Sequence, residues 1–268
     1  MATTNRAAMP TQDLAVRNSW CHPQPRRRDG CCLVPQTPPQ RPDLATYSQQ
    51  EQISLGAAPS FNSPDITTND DIPWKLRPSV ELVVRNLSPD ASAINALVNM
   101  STSAFGIGMQ QSPLSSQKIN LAPSSQQTLW FPLPPALLTG DQSLGVFVVI
   151  EHPFDIRPIN NTGAQVVKGV MASAVGRNAS LVFPAQNSSG APRSMTFSVL
   201  ANSLGATITP AAHAFAAWEQ INLTLHVSVP GGTHGSAGSP IRNEITVIAT
   251  DNSGALVGGV TWIYWIDN

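Results

Sequence analysis

The sequence predicts an all-β protein built from β-sandwiches, and three observations support this prediction. From residue 61 onward, apolar side chains mostly alternate with polar ones, which is the period of a strand with one buried face. Proline, glycine, asparagine and aspartate separate these runs, as turns require. Helical periodicity is scarce. Short strands at this spacing are typical of a β-sandwich.

Residues 1–60 differ in composition from the rest of the chain. They carry six of the twelve arginines against four acidic residues, eight of the 24 prolines and all three cysteines. With few periodic apolar positions, such a segment cannot bury enough surface to offset the entropy lost on ordering. We therefore expect residues 1–60 to form an extended Pro/Arg-rich N-terminal arm with little regular structure.

The strands of the first predicted domain lie in residues 61–188. The clearest is SVELVVRN at 79–86, where Val80, Leu82 and Val84 alternate with Glu81, Val83 and Arg85. A turn with Pro89 and Asp90 leads into the next strand. The other predicted strands are SAINALVNMST (92–102), QKINL (117–121), QTLWF (127–131) and SLGVFVVIEH (143–152).

Residues 189–268 repeat this logic. A glycine-rich loop at 230–240 divides the segment, and Pro210 limits residues 205–220 to one helical turn at most. An Asp-Asn-Ser-Gly run at 251–254 supplies a hairpin turn. The four predicted strands are SMTFSVLANS (194–203), QINLTLHVSVP (220–230), NEITVIATDNSG (243–254) and LVGGVTWIYWID (256–267).

Short motifs across residues 61–267 follow a common pattern: SPDI, a strand ending in VRN, LWFPLPP and VFVVIEHPFD. They resemble the bacterial immunoglobulin-like domains related to the CARDB adhesion module, in which an asparagine, here Asn86, ends a V-x-V-x-N strand. GRNASLVF, with Arg177 and Asn178, resembles the run that often closes such a domain, and GGVTWIYWI resembles the last strand of a second one. The resemblance implies two tandem immunoglobulin-like sandwiches, 61–188 and 189–268, and no catalytic residues.

The stretch FNSPDITTNDDIPW at 61–74 has two interpretations. Asp65, Asn69, Asp70 and Asp71 carry the oxygen ligands that calcium prefers. Alternatively, Pro64 begins a short strand and the later Asn and Asp residues turn the chain by local hydrogen bonds. The acidic spacing of a helix–loop–helix calcium site is missing, so we favour the turn.

The stretch CHPQPRRRDGCC at 21–32 contains Cys21, His22, Cys31 and Cys32, which is the ligand count of a structural zinc site. Adjacent ligands strain a tetrahedral site, so free thiols are the simpler interpretation. A disulfide with one thiol left over, or an intermolecular bond, also fits three cysteines. We therefore expect no cofactor.

Two groups of residues are candidates for protein contacts. Arg26, Arg27 and Arg28 are consecutive and suit phosphate or an acidic protein surface, although simple solvation explains them too. Trp262, Tyr264 and Trp265 put aromatic rings on both faces of one strand. That pattern fits a strand buried on both sides, or one that pairs with a second chain.

Sequence motifs do not indicate an enzyme. The chain has no G-x-S-x-G elbow, no phosphate-binding G-x-x-x-x-G-K-[ST] loop and no dinucleotide-binding glycine fingerprint. His152, beside Glu151 and Asp155, is the one acid–base candidate, and a strand-end cap is the simpler interpretation.

The composition narrows the choice of partners. A net charge of −1 with 12% charged residues argues against nucleic acid, and no run of 18 apolar residues indicates a membrane span. Residues 1–20 lack the apolar core of an export signal. We expect a non-enzymatic subunit of a filament, sheath, shell or phage-like particle, extracellular or part of a released particle, whose arm contacts copies of itself or other subunits. The alternative is a secreted adhesion or glycan- or protein-binding module.

Overall fold

Fifteen β-strands dominate the described part of the chain, so the all-β prediction is confirmed. The computed structural model describes residues 40–68, 79–134, 137, 144–174, 178–200, 204–231 and 241–267, without the side chains of 68, 166–174 and 267. The strands are β1 (Leu44–Ala45), β2 (Ile66–Thr68), β3 (Ser79–Asn86), β4 (Ala93–Ala104), β5 (Ser112–Leu121), β6 (Ser125–Pro132), β7 (Leu144–Glu151), β8 (Thr162–Ala174), β9 (Asn178–Gln186), β10 (Arg193–Leu200), β11 (Gly205–Thr209), β12 (Ala212–Phe215), β13 (Gln220–Ser228), β14 (Ile241–Asp251) and β15 (Leu256–Asp267).

The first sandwich packs two sheets around one apolar core. In one sheet, β3 pairs with β6 along one edge and with β1 and β2 along the other. The facing strands are β5, β4 and β7. Val80, Leu82 and Val84 point inward from β3 while their neighbours are half-buried, so the alternation read from the sequence is confirmed at this strand.

The second sandwich repeats this arrangement. Strand β9 pairs with β13 as β3 pairs with β6, and β10 pairs with β12 and β14 as β4 pairs with β5 and β7. Strand β11 extends the β9–β13 sheet, and β15 follows β14. Antiparallel sheets packed in this way fit an immunoglobulin-like sandwich. In residues 205–220, the structure has β11 and β12 where we allowed one helical turn.

Two asparagines mark the repeat. Asn86, at the end of β3, donates from Nδ2 to Ala91 O at 2.7 Å, and its Oδ1 accepts from Ser88 N at 3.2 Å. Asn187, just after β9, donates to Ala191 O at 2.8 Å and accepts from Ser189 N at 3.2 Å. Both side chains are 1% exposed, so each amide holds the turn that follows its strand.

This repeat changes where the second sandwich begins. The Asn178 run, which resembled the end of the first domain, belongs to β9 and pairs with β13 in the second sandwich. The boundary predicted at 188/189 therefore lies inside the second repeat.

Strand β8 joins the two sandwiches into one sheet. Its first residues pair with β7, and its later residues run parallel to β15, which gives the eight-stranded order β12-β10-β14-β15-β8-β7-β4-β5. The two cores therefore share a continuous layer of strands.

The described part of the predicted arm, residues 40–60, belongs to the fold. It forms β1 and the helix α1 (Gln49–Ser54), which Ser48 caps by accepting from Glu51 N. Gln49 is 4% exposed and bonds the backbone of Ala164 in β8 through both ends of its amide, at 2.7 and 3.0 Å. Our prediction of little regular structure is thus wrong for residues 40–60, because buried non-local bonds order them. Residues 1–39 lie outside the described residues.

Candidate interaction surfaces

The structure takes Asp65 out of the calcium interpretation. Its carboxylate forms a two-pronged ion pair with Arg85, at 2.5 and 2.6 Å, and also accepts from Tyr47 N at 2.7 Å. This pairing raises the pKa of Arg85, first through the hydrogen bond to Asp65. Asp65 therefore joins β2, β3 and the segment after β1. The other candidate ligands, Asn69, Asp70 and Asp71, lie outside the described residues.

The zinc candidates Cys21, His22, Cys31 and Cys32 lie outside the described residues, as do Arg26, Arg27 and Arg28. Within the described ranges, no cluster of three or more His, Cys, Asp or Glu side chains is arranged to hold a metal ion. No helix there is long and apolar enough to cross a membrane.

The aromatic residues of β15 are largely buried. Trp262 is 4% exposed and packs edge-on against Phe105, with ring centroids 5.5 Å apart, and Tyr264 is fully buried. Both faces of β15 are covered, which agrees with the interpretation of a strand buried on both sides. Trp262 and Tyr264 are therefore core residues rather than a surface for a partner. Trp265 is half-buried, and a contact role for it stays a prediction.

A loop at one end of the first sandwich is attached by several hydrogen bonds and an ion pair despite its exposure. This 152–161 loop connects β7 to β8 and contains a short 3-10 helix, Pro158–Asn160. Buried Asp155 accepts from Leu44 N and Arg157 N, each at 2.7 Å. Buried Asp43 accepts from Asn160 Nδ2 at 2.9 Å and pairs with Arg157 at 3.0 Å. These bonds attach the loop to the segment that carries β1.

His152 serves as an anchor of this loop. Phe154 N donates to its Nδ1 at 3.3 Å, so Nε2 carries the proton and donates to Ile94 O at 3.2 Å. Glu151 accepts from Asn99 instead of from His152, at 3.1 Å. Asp155 bonds backbone, as described above. The three residues considered as an acid–base group therefore make separate structural contacts.

Apolar side chains cover the outside of the 152–161 loop. Phe154 is 63% exposed, Ile156 48% and Ile159 39%, and Ile94, whose carbonyl His152 binds, is 57% exposed. We call these four residues the apolar loop surface. Exposed apolar side chains are normal when scattered, whereas a group of them around one anchored loop is a candidate interaction site.

A shallow pocket of about 480 Å³ lies beside this surface. It forms where β4 and β7 separate: Asn95 has φ of 57° at an irregularity in the β4–β5 register, and β4 pairs with β7 only from Leu97 onward. Bulges of this kind are common next to binding sites. The lining residues are Asn95, Leu97, Ile150, Glu151, His152, Pro153, Asp155, Pro158 and Asn161.

The apolar loop surface is not among the sites predicted from the sequence. Phe154 and Ile156 lie just beyond a strand, between prolines, and an alternating pattern there does not tell an inward side chain from an outward one. The available signal was the position of Phe154 directly after Pro153, where a strand cannot continue as part of a central ladder.

Comparisons with known proteins give distant similarities only. No family model matches the chain, and no curated protein matches it. Escherichia coli alpha-2-macroglobulin activated by porcine elastase is similar over 86% of this chain and 22% of its own, with 12% identity and a TM-score of 0.30. The Vibrio cholerae VesB protease is similar over 66% of this chain and 63% of its own, with 10% identity and a TM-score of 0.24. A protein of unknown function from Porphyromonas gingivalis W83 is similar over 71% of this chain and 92% of its own, with 12% identity and a TM-score of 0.24.

This chain therefore spans about a fifth of the alpha-2-macroglobulin chain. Because all these TM-scores are low, the assignment of an immunoglobulin-like sandwich rests on the strand pairing and burial described above.

Proposed function

We propose that this protein is a non-enzymatic subunit of a larger protein assembly, such as a filament, sheath, shell or phage-like particle. The apolar loop surface is the observation that carries the proposal. Water-exposed phenyl and isoleucine side chains cost free energy that a partner surface recovers on binding, by about 25 cal/mol per Å² of apolar area covered.

The anchoring of the loop supports the same proposal. A loop that is already fixed by Asp43 and Asp155 loses little entropy when it binds, and this preorganisation favours a protein partner. Arg157 forms ion pairs with Asp43 and Glu51, and its side chain is 46% exposed. It supplies the polar rim expected around an apolar contact.

The arm retains its proposed role, but over a shorter length. Residues 1–39 carry five arginines and two acidic residues, whereas residues 40–268 carry ten basic and fourteen acidic ones. Opposite net charges favour association between subunits. We therefore propose that residues 1–39, with Arg26, Arg27 and Arg28, contact neighbouring subunits, and that the assembly is extracellular or part of a released particle.

We also propose that both sandwiches are related to the CARDB-type immunoglobulin-like domains. The paired roles of Asn86 and Asn187 support this, because Asn86 ends β3, Asn187 directly follows β9, and each holds the next turn. The sequences of the two repeats otherwise share little.

The alternative is a secreted adhesion module that binds a glycan or a cell-surface protein. The pocket beside Phe154 favours it, since asparagine and glutamate side chains beside an exposed aromatic ring suit a sugar. A monomeric protein that binds members of a glycan panel would select this alternative over assembly.

Changing the apolar loop surface tests the proposed function. A chain with both Phe154→Ser and Ile156→Ser should keep its fold, because both side chains are exposed, yet lose the assembled state. Sedimentation from the producing cells gives the size of each variant. Trp218→Ser is the matched control, an aromatic residue 56% exposed on the second sandwich, and should assemble normally. Full assembly of the double variant would remove the role given to the loop.

A further inference from the structure

Among the described residues, the outer edge of β9 is open at a place where its counterpart in the first repeat is covered. When Asn86 is matched with Asn187, β3 corresponds to β9, and Glu81 of β3 corresponds to Val182. The edge of β3 that faces away from β6 pairs with β1 and β2. On β9, the described residues supply only one bridge at this edge, from Ile107 to Ala185.

The Ile107 bridge shows which backbone groups of β9 face outward. Ile107 N donates to Pro184 O at 3.0 Å, and Gln186 N donates to Ile107 O at 2.9 Å. Backbone polar groups alternate in direction along a strand. The backbone groups of the even-numbered residues of β9 therefore point away from β13. Asn178, Ser180 and Val182 therefore present their N–H and C=O groups at this edge, and the described residues give them no backbone partner there.

The chemistry of this edge lacks the usual protection against pairing. The segment from residue 178 to 182 contains no charged residue and no proline, since Pro184 lies where Ile107 covers the edge. The side chains of Asn178, Ser180 and Val182 are all exposed, Val182 by 54%. The edge strand β5, in contrast, carries Pro113 and Lys118, residues that discourage added strands. The edge strand β12 has only four residues.

We propose that β9 pairs edge to edge, antiparallel, with β9 of a second copy of this chain. A two-fold axis at Ser180 places Ser180 opposite its equivalent and Asn178 opposite Val182 of the second copy. This gives three residue pairs, because Val182 also lies opposite Asn178 of the second copy. In each pair, the N–H and C=O groups of the two residues face each other, so the edge is self-complementary. The proposal rests on the proposed assembly function in taking a second copy as the partner.

Ile107 fixes the register of this pairing. It occupies the edge at Pro184–Gln186 in each copy, so the added strand ends there, and only the register centred on Ser180 uses the whole open segment. The antiparallel direction has a precedent in the first repeat, where the three residues of β2 pair antiparallel with the corresponding edge of β3. The three-stranded β11-β13-β9 sheet would thus continue into its copy.

A charge exchange at Ser180 tests the pairing in the full-length protein. In a Ser180→Lys dimer, two ammonium groups would lie directly opposite each other, and in a Ser180→Glu dimer two carboxylates. Each variant alone should therefore self-associate up to about fivefold more weakly than the wild type. An equimolar mixture should restore association, because lysine then faces glutamate. Analytical ultracentrifugation measures all three.

The mixture keeps this test informative if one variant is impaired, since unfolded chains would not recover association on mixing. Asn222→Lys is the control, an exposed position on the same face but on the central strand β13, and should associate as the wild type does. Unchanged association of both Ser180 variants would overturn the pairing. If these variants still pair while the Phe154→Ser, Ile156→Ser chain fails to assemble, the proposed function survives without the β9 contact. If the Ser180 variants lose pairing and the wild type sediments from its cells as a dimer and not as a large particle, the pairing stands and the proposed function fails.

Discussion

A chain that begins at residue 61 should fail to fold, whereas a chain that begins at residue 40 should unfold at the same temperature as the full-length protein. The longer deletion removes Leu44, which is fully buried and contributes about 2 kcal/mol. It also removes Gln49, which makes two hydrogen bonds to the backbone of Ala164. The loss of each bond should cost about 1 kcal/mol of stability. Asp65 and Asp155 then lose contacts to this segment as well.

These losses together approach the whole stability of a typical domain, about 5–15 kcal/mol. Thermal unfolding followed by circular dichroism distinguishes the two truncated chains. A cooperative transition near the wild-type temperature in the chain that begins at residue 61 would show that residues 40–60 are dispensable for folding. The shorter deletion, of residues 1–39, should leave folding unchanged because it removes only the arm. It should abolish assembly, because the arm contacts neighbouring subunits.

Gly259→Ala should destabilise the protein by about 2–3 kcal/mol, the upper range for overpacking a core. A methyl group at Gly259 would meet the ring of Phe61 and would lie 2.6 Å from Val247 O. The carbonyl belongs to the backbone of β14 and cannot move away without disturbing the sheet. Phe61 is itself fixed, because its N–H donates to Thr261 Oγ1 at 2.7 Å.

Chemical denaturation of Gly259→Ala measures this cost, and Gly231→Ala is its control. No atom lies within 4 Å of a methyl group at Gly231, so the control should change stability by less than about 0.5 kcal/mol. Equal stability of the two variants would contradict the placement of Phe61 against β15. A Phe61→Leu change added to Gly259→Ala should recover part of the loss, since it removes the ring.

Local patterns predicted most of the strands well. The alternation in β3 gives its inward face correctly, since a period of two follows directly from strand geometry. The same pattern says nothing about which sheet a strand joins. The Asn178 run therefore looked like the end of the first domain, although it pairs with β13 as the first strand of the second repeat.

Long-range contacts account for the part that the sequence did not predict. Residues 40–60 look too polar to fold, and they are ordered by bonds such as Gln49 to Ala164, 115 residues apart. The sequence offers Asp65 as one of four candidate calcium ligands, whereas its carboxylate pairs with Arg85, a contact that the local pattern does not encode. The exposure of Phe154 likewise depends on how the 152–161 loop is anchored, which local periodicity does not encode.

The most direct test of the assembly proposal is the native size of the protein in its producing cells. Gradient sedimentation of a lysate and of the medium, followed by electron microscopy of the fraction that holds the protein, gives this size. We expect the protein in a large ordered particle. A free monomer near the chain mass of 28.4 kDa would contradict the proposal and direct attention to glycan and surface-protein ligands of the pocket beside Phe154.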